Sequence, residues 1–524
     1  MSVIRPASYR PVTEKTPPRL PLLVLLALGL LWGAGARGQG LRNGAGQRDL
    51  RGVWMATVLN IDYPSRPTAD AATLQAEFRS QLYRLRQAGV NALFVQVRPA
   101  GDAIYPSQHA PWSRWLTGRQ GVAPVSNFDP LKFMIEECHA RGVELHAWVN
   151  PYRVAMSLDS FNFAPGHLFH RHRDWVRLYA DRMYLDPGLP AVRQHLGRVI
   201  DELVAGYDLD GIHFDDYFYP YPLTGVPFPD EATYRRYGNG RPRADWRRAN
   251  VNAFVTETYH RIKAAKPWMQ FGISPYGVWR NQSRDPARGS ATRASISSYD
   301  DLYGDALAWA EAGVVDYLAP QLYWNVGYAP ADYGELLRWW ATHVPPTTRL
   351  LIGQAAYKVG DPDQGPAWAD PDQLPTQVRL NRAYPSVDGT ILFSARSILG
   401  SAVGLEQRLA RLYPELALLP PRANRGPAPA APPPPKVFRP RRTEAGNLVV
   451  WEVPRDTPAE ALPHYYAIYR SDPAHPLRLL HRTPYGQGCH RLHYVDKTAA
   501  TGVDYRYRVV ALDRFHNAAP VPAR

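Results

Sequence analysis

Eight short runs of apolar, β-branched and aromatic residues recur along the chain, each separated from the next by helix-like sequence. They begin near Arg51 (RGVWMATV), Asn91 (NALFVQVRP), Val143 (VELHAWVNPYR), Asp210 (DGIHFDDYFYP), Gln270 (QFGISPYGVW), Val315 (VDYLAPQLYW), Leu350 (LLIGQAAYK) and Asp388 (DGTILFSAR). Between them lie amphipathic stretches such as Leu74–Ala88, Pro130–Arg141, Val192–Gly206, Asn250–Ala265 and Leu302–Ala312. Several end in a glycine at a C′ position: Gly89, Gly142, Gly313. Eightfold strand–helix alternation predicts an α/β fold, the (β/α)8 TIM barrel. An open doubly wound sheet is the alternative, but no Gly-rich phosphate loop follows the first run.

Side-chain alternation within the runs fits a barrel. In the second, Leu93, Val95 and Val97 share one face, and Phe94, Gln96 and Arg98 the other. In the third, Val143, Leu145, Ala147 and Val149 oppose Glu144, His146, Trp148 and Asn150. Ile212 and Phe214 oppose His213 and Asp215; Leu318 and Leu322 oppose Gln321 and Tyr323. In the eighth, Ile391 and Phe393 oppose Leu392, Ser394 and Arg396. The apolar face suits outer helices, so the polar and aromatic face is expected to point inward. Polar residues at the C-terminal strand ends then reach the mouth, where barrel active sites lie. This nominates Arg98, His146, Asn150, Asp215, Ser274, Gln321, Tyr323 and Arg396. A satisfied structural network inside the barrel is the competing explanation for any one of them.

The loops after the strands are long and aromatic. Tyr217–Trp246 holds Tyr217, Phe218, Tyr219, Tyr221, Phe228, Tyr234, Tyr237 and Trp246; Tyr105, Trp112, Trp115, Tyr152 and Trp324 follow other strands. An aromatic-rimmed cleft suits sugar rings, whose C–H faces are apolar and whose edges hydrogen-bond; about half of these rings are expected simply to pack the loops. Asp215 and Asp216 close the fourth run, and parity with His213 turns Asp215 toward the axis. A carboxyl beside aromatics suits a general acid, because desolvation raises its pKa. Glycoside hydrolysis usually takes two carboxylates. Asp216 is the nearest second; Asp62, Asp102, Asp300 and Asp301 lie on other loops, and Glu144 sits low in its strand. A helix-cap or salt-bridging role for the Asp pair is the alternative. No G-x-S-x-G elbow and no H-E-x-x-H occur, so neither a serine hydrolase nor a metal site is expected, and no cofactor is implied.

At this point nine motifs, in order, resemble one family. They are RGVWMATVLNIDYP (51–64), FVQVRPAGDAIYPS (94–107), FDPLKFMIEECHARGVELHAWVNPYR (128–153), LDPGLPAVRQH (185–195), DGIHFDDYFYP (210–220), DWRRANVNAF (245–254), FGISPYGVWRN (271–281), YLAPQLYW (317–324) and IGQAAYKVG (352–360). Over about residues 48–415 the chain resembles the bacterial glycosyl hydrolase-like 10 family. The resemblance implies an extracytoplasmic enzyme cutting glycan strands, with peptidoglycan the best-supported substrate class. The expected catalytic residues are then Asp215, as leading acid, and Asp216, as partner or positioner. Arg98, Asp102, His146, Asn150, Tyr152, Tyr217, Ser274, Gln321, Tyr323 and Trp324 are expected to hold the sugar. The fourth strand also weakly resembles the chitinase signature D-G-x-D-x-D-x-E, but Tyr217 stands where that signature has its Glu. A chitinase-style mechanism therefore does not carry over. A non-catalytic glycan-binding protein and a hydrolase of another polysaccharide remain open alternatives.

The ends of the chain carry other signals. Residues 1–40 combine Arg5, Arg10, Lys15 and Arg19, an apolar Leu20–Trp32 and small residues from Gly33 to Ala36. This predicts a cleaved signal peptide, and Leu20–Trp32 is short of the roughly 20 residues a membrane span needs. Export, followed by a soluble periplasmic or extracellular life, is expected. Residues 48–419 should be the barrel, 420–436 a Pro/Ala-rich linker and 437–524 a separate β module. Period-2 runs there, with Tyr505 ahead of Tyr507 and Val509, resemble a fibronectin type III sandwich and its tyrosine corner. Such a module is expected to bind the cell wall or division proteins. Two cysteines, Cys138 and Cys489, exclude a disulfide framework and are expected to be free thiols.

The net charge of +14 raises the question of nucleic acid. Its distribution answers no. Residues 1–40 hold five basic and one acidic residue and residues 436–524 hold 14 and 8, leaving 40 against 38 between them once the linker's Arg422 and Arg425 are set aside. The barrel is nearly neutral, and the basic tail suits an anionic wall.

Overall fold

A computed structural model describes residues 48–422, 431–458, 461–485 and 490–519. The signal-like segment and Cys489 lie outside the described residues. Eight parallel strands close a barrel: β1 (Leu50–Met55), β2 (Ala92–Arg98), β3 (Glu144–Val149), β4 (Gly211–Phe214), β5 (Gln270–Ile273), β6 (Tyr317–Leu318), β7 (Arg349–Gln354) and β8 (Val387–Phe393). Each pairs with its neighbours in sequence, and β8 returns to β1 through Leu50↔Gly389 to Trp54↔Phe393. All eight begin within two residues of the positions read from the sequence.

The helices form where the sequence caps them. Asp70 accepts from the Thr73 N–H (2.9 Å) ahead of Ala71–Gln87, and Asp129 from Lys132 (3.0 Å) ahead of Pro130–Ala140. Gly89, Gly142 and Gly313 adopt positive φ (90°, 67° and 70°) just past helix ends, as expected of C′ glycines. Outward residues Leu93, Val95, Leu145, Ala147, Ile212, Phe214 and Leu318 join the large core beneath these helices. Leu50, Trp54, Phe94, Trp148, Tyr317, Leu351 and Ile391 fill the interior, and Leu419 joins them where β1 begins. Large rings fit inside because small residues face them. A Cβ on Gly272 would lie 2.1 Å from the Tyr317 ring, and one on Gly211 2.4 Å from His146.

Two orientations differ from the alternation pattern. On β8 the parity is reversed: Ile391 and Phe393 face the interior and Leu392 the helices. A register shift against β7 between Leu350 and Leu351 sets the phase of this strand, and the apolar residues on both its sides hid it. On β2 a bulge between Gln96 and Arg98 pairs Arg98 with outward-facing Val149, so Arg98 leaves the inward face.

The loop after β3 carries a three-stranded antiparallel sheet, Arg153–Ala155, Val176–Tyr179 and Arg182–Leu185. The C-terminal module has two sheets. One holds β9 (Lys436–Val437), β10 (Arg441–Thr443), β11 (Gly446–Glu452) and β14 (Arg491–Asp496); the other holds β12 (Tyr465–Asp472), β13 (His475–Pro484) and β15 (Arg506–Leu512). Val449, Trp451, Tyr466, Ile468 and Val509 pack between them. The Tyr505 hydroxyl accepts from the Ala500 N–H (3.3 Å).

This module and Arg422 contact the barrel directly. Arg422 is buried and pairs with Glu144 and, at 2.8 Å, Asp210, at the N-terminal end of the barrel. His516 reaches Glu144 (2.8 Å), and Arg514 pairs with Asp208 (2.8 Å). Among the described residues no helix is long and apolar enough to cross a membrane.

Candidate active site

β4 ends at Phe214, so Asp215 and Asp216 stand just beyond the strand, where strict alternation no longer separates them. Both are buried, at 8% and 3% exposure. Their surroundings differ. Asp215 accepts three hydrogen bonds: Oδ2 from Asn150 Nδ2 (3.0 Å), and Oδ1 from Gln321 Nε2 (3.2 Å) and the Asp216 N–H (2.9 Å). Asp216 accepts one, from the Tyr221 hydroxyl at 2.5 Å, while its Oδ1 is buried without a partner. Burial, then the neighbouring Asp215, lifts the Asp216 carboxyl well above the usual carboxylate range. The two carboxyls thus sit in unlike surroundings: three donors hold Asp215, while Asp216 is desolvated and favours its protonated form.

Asn150 and Gln321 are held in turn. Asn150 Oδ1 accepts from Gln96 Nε2 (2.6 Å), and Gln321 Nε2 also donates to the Ser274 carbonyl (3.0 Å). Below them runs a directed polar column. Trp54 Nε1 can only donate, so His213 Nε2 (3.1 Å) accepts. His213 Nδ1 then donates to the Tyr317 hydroxyl (3.1 Å), which donates to His146 Nδ1 (3.1 Å). His146 Nε2 donates to Glu144 (3.2 Å), where Arg422 and His516 complete the chain. The Ser274 hydroxyl sits against His213 Nε2 (3.1 Å) at its upper end.

Aromatic rings line the mouth in two arms. Tyr217, Tyr221, Tyr276 and Trp324 make successive edge contacts, with centroids 5.5, 6.0 and 5.5 Å apart. Tyr323, Tyr357 and Phe393 lie within 6.0–6.5 Å of one another, and Phe393 meets Trp54 and Trp148 at 6.4 Å. Trp148 Nε1 is a second buried polar atom without a partner. Unfilled donors and acceptors beside exposed ring faces suit a hydroxylated ligand.

Of the residues nominated from sequence, Asn150, Asp215, Asp216, Tyr217, Gln321, Tyr323 and Trp324 come together here, with Ser274 one layer beneath. Three do not. Arg98 is fully buried and donates to the carbonyls of Asn150 and Pro151 (3.1 Å each), behind the mouth. His146 is sealed inside the barrel column. Tyr152 packs among the outer helices against Phe254 (5.4 Å). Asp102 lines a separate side cavity, described below. Asp62 is spent on structure, accepting from the Ala56 N–H, the Ser394 hydroxyl and the Arg396 N–H, each at 2.7 Å. Arg396 itself is exposed. Sequence reasoning did not single out Tyr276, Tyr357 or inward-facing Phe393; the first two follow short strands whose register only the structure sets. Among the described residues no group of three or more His, Cys, Asp or Glu could hold a metal ion.

A closed parallel barrel with two unlike carboxyls in an aromatic mouth defines an enzyme of the barrel glycosidase type. The profile of the family described as Glycosyl hydrolase-like 10 matches residues 49–370. The chain belongs to that family and is a glycosyl hydrolase-like barrel enzyme. It is 40% identical to the glycosyl hydrolase YngK of Bacillus subtilis over 493 residues, 92% of this chain and 94% of that protein. It is 42% identical to the glycosyl hydrolase DigH of Escherichia coli over 366 residues, 66% of this chain and 82% of that protein. Among solved structures, the glycoside hydrolase domain of PgaB (BpsB) from Bordetella bronchiseptica aligns with a TM-score of 0.46 and 14% identity, over 70% of this chain and 99% of that one.

Proposed function

We propose that this protein is an exported glycoside hydrolase that cuts the glycan strands of peptidoglycan, with Asp216 as proton donor and Asp215 as its partner. The observation that carries this is the contrast between the two carboxyls. Asp216, protonated by burial and by its neighbour, can deliver a proton to the glycosidic oxygen. Asp215, oriented by hydrogen bonds from Asn150, Gln321 and the Asp216 N–H, can stabilise the positive charge that develops on the departing sugar ring. This reverses the roles expected from strand parity. Once Asp216 has given up its proton, Tyr221 is placed to hold the new carboxylate. The aromatic arms supply faces on which sugar rings stack. Export is supported by the basic, apolar and small-residue succession of residues 1–40. The peptidoglycan substrate is supported by the motif resemblance and by the basic character of residues 436–524.

The test uses purified wall sacculi, intact and stripped of stem peptides, with wild type, Asp215→Asn and Asp216→Asn. Released fragments are read by mass spectrometry. Wild type should release glycan fragments, and each variant should lose about 10²–10⁴-fold. Binding without release by wild type would make the protein a wall-binding module instead. Release from another polysaccharide alone would move the substrate.

A further inference from the structure

Beside the catalytic mouth the loops after β1, β2 and β3 enclose a second cavity of about 160 Å³. It shares the loop after β3 with the site: Asn150 begins that loop and Val154 and Ala155 line the cavity. Asp216 is followed by Tyr217, whose ring lies 4.7 Å from the guanidinium of Arg153, the residue before Val154. Its volume is below the range of whole-ligand pockets, so it suits a substituent of a longer ligand.

Three features say what kind. Arg114 lines the cavity half-buried, and among the described residues its guanidinium makes no hydrogen bond and no ion pair. A partly desolvated, unpaired guanidinium favours a carboxylate. Opposite charge chemistry is present too: Asp102 is 2% exposed, accepts hydrogen bonds from the Ser113 side chain, the Ala100 N–H (3.3 Å) and Gln120 (3.5 Å), and burial lifts it to about 6. Apart from Gln120 and Ser157, the remaining wall is apolar or aromatic. Leu59 is 54% exposed there, in a left-handed conformation (φ 55°) that costs a non-glycine residue roughly 1 kcal/mol or more. The turn is held by Asn60, whose Nδ2 donates to the carbonyls of Pro64 (2.8 Å) and Trp115 (2.7 Å).

We infer that this cavity is a subsite for a carboxylate-bearing substituent of the glycan, with Arg114 binding the carboxylate, Asp102 accepting an adjacent amide or hydroxyl proton, and Leu59 covering an apolar group. The inference rests on the glycan-hydrolase reading and narrows its substrate to an acidic sugar. Two sources share the chemistry: the lactyl ether of a muramyl sugar and the ring carboxylate of a uronic acid. The geometry favours the first. A lactyl arm projects from the ring and carries a methyl group, so it can enter a side cavity while the ring stays in the cleft. A uronate carboxylate is fixed to the ring and brings no apolar group.

The test measures equilibrium binding by calorimetry, with the full chain carrying Asp216→Asn so that no turnover intrudes. Ligands are peptide-stripped muramyl glycan fragments, the same fragments with carboxylates reduced to alcohols, and glucuronate–N-acetylglucosamine oligosaccharides. Carboxyl reduction should weaken binding about ten-fold or more, the scale of a charge-assisted contact. Adding Arg114→Gln should produce the same loss on native fragments and abolish sensitivity to reduction. Arg114→Lys should recover part of it. An Arg114→Gln chain that still distinguishes native from reduced fragments would overturn the inference, as would no binding to either acidic glycan. Preference for the glucuronate oligosaccharide would overturn the muramyl assignment. Normal, Arg114-dependent binding with no cleavage by wild type would defeat the hydrolase reading and leave the subsite standing.

Discussion

At the residue scale, the site depends on two neighbouring aspartates in different surroundings. A protonated Asp216 carries a stability consequence whose sign is fixed by linkage. Its folded-state pKa lies above the unfolded value, so the folded state holds a proton that the unfolded state releases. Stability therefore falls as pH rises from about 4 through the raised value. Asp216→Asn should unfold at a higher temperature than wild type at pH 7, and the gap should close toward pH 4. An unchanged gap across that range would mean that Asp216 titrates normally. Asn150 acts through Asp215: with its Nδ2 removed, Asp215 loses one of three donors. Asn150→Ala should lower kcat about ten-fold or more with little change in KM, measured on the same glycan.

At the scale of elements, the strands were legible because the barrel imposes a two-residue period on every one of them. Glu144, His146 and Trp148 on β3, and His213 on β4, face inward as their alternation says. The pattern failed where a side chain's direction depends on pairing rather than on type. The bulge at Arg98 turned a cleft candidate into a brace for the Asn150 turn, and apolar residues on both sides of β8 gave no clue to its phase. The Asp pair was legible as a motif, but the division of roles was not. It depends on hydrogen bonds from Asn150, Gln321 and Tyr221, which sit 65, 106 and 5 residues away in sequence. His146, read as a sugar ligand, is a link in the interior column, where Tyr317 joins it to His213. Tyr317→Phe removes the hydroxyl that bridges them and leaves two buried imidazole nitrogens unpaired. It should cost about 2–5 kcal/mol in denaturant unfolding. A loss under 1 kcal/mol would mean that the column contributes little.

At the scale of the whole molecule, the C-terminal module is part of the barrel's N-terminal end. The buried cluster of Glu144, Asp210, Arg422, His139 and His516 joins the two. Burial opposes the charge of Glu144, but Arg422 and His516 outweigh it and hold the carboxyl well below its usual range. Asp210 is depressed likewise, with His139 the largest favourable partner. Depressed carboxylates stabilise above their unfolded pKa, so this contribution is full above about pH 4 and is lost as pH falls below it. Burial pushes His516 down to about 4, so it becomes charged in the same window. Arg422→Met strands two buried carboxylates and should cost about 3 kcal/mol or more, with Glu144→Gln in the same chain recovering part of the loss. The Pro-rich composition of residues 420–436 could not reveal this, because Arg422 looks like any linker arginine until Glu144 and Asp210 are placed beside it.

The division of labour between Asp215 and Asp216 is tested most directly by leaving-group dependence. Wild type, Asp215→Asn and Asp216→Asn would be assayed on a natural glycan strand and on a dinitrophenyl glycoside of the same sugar, whose departing phenolate needs no proton. Asp216→Asn should lose about 10³-fold on the natural strand and little on the activated glycoside, whereas Asp215→Asn should lose heavily on both. Equal losses for Asp216→Asn on both substrates, or sparing of Asp215→Asn instead, would contradict the account.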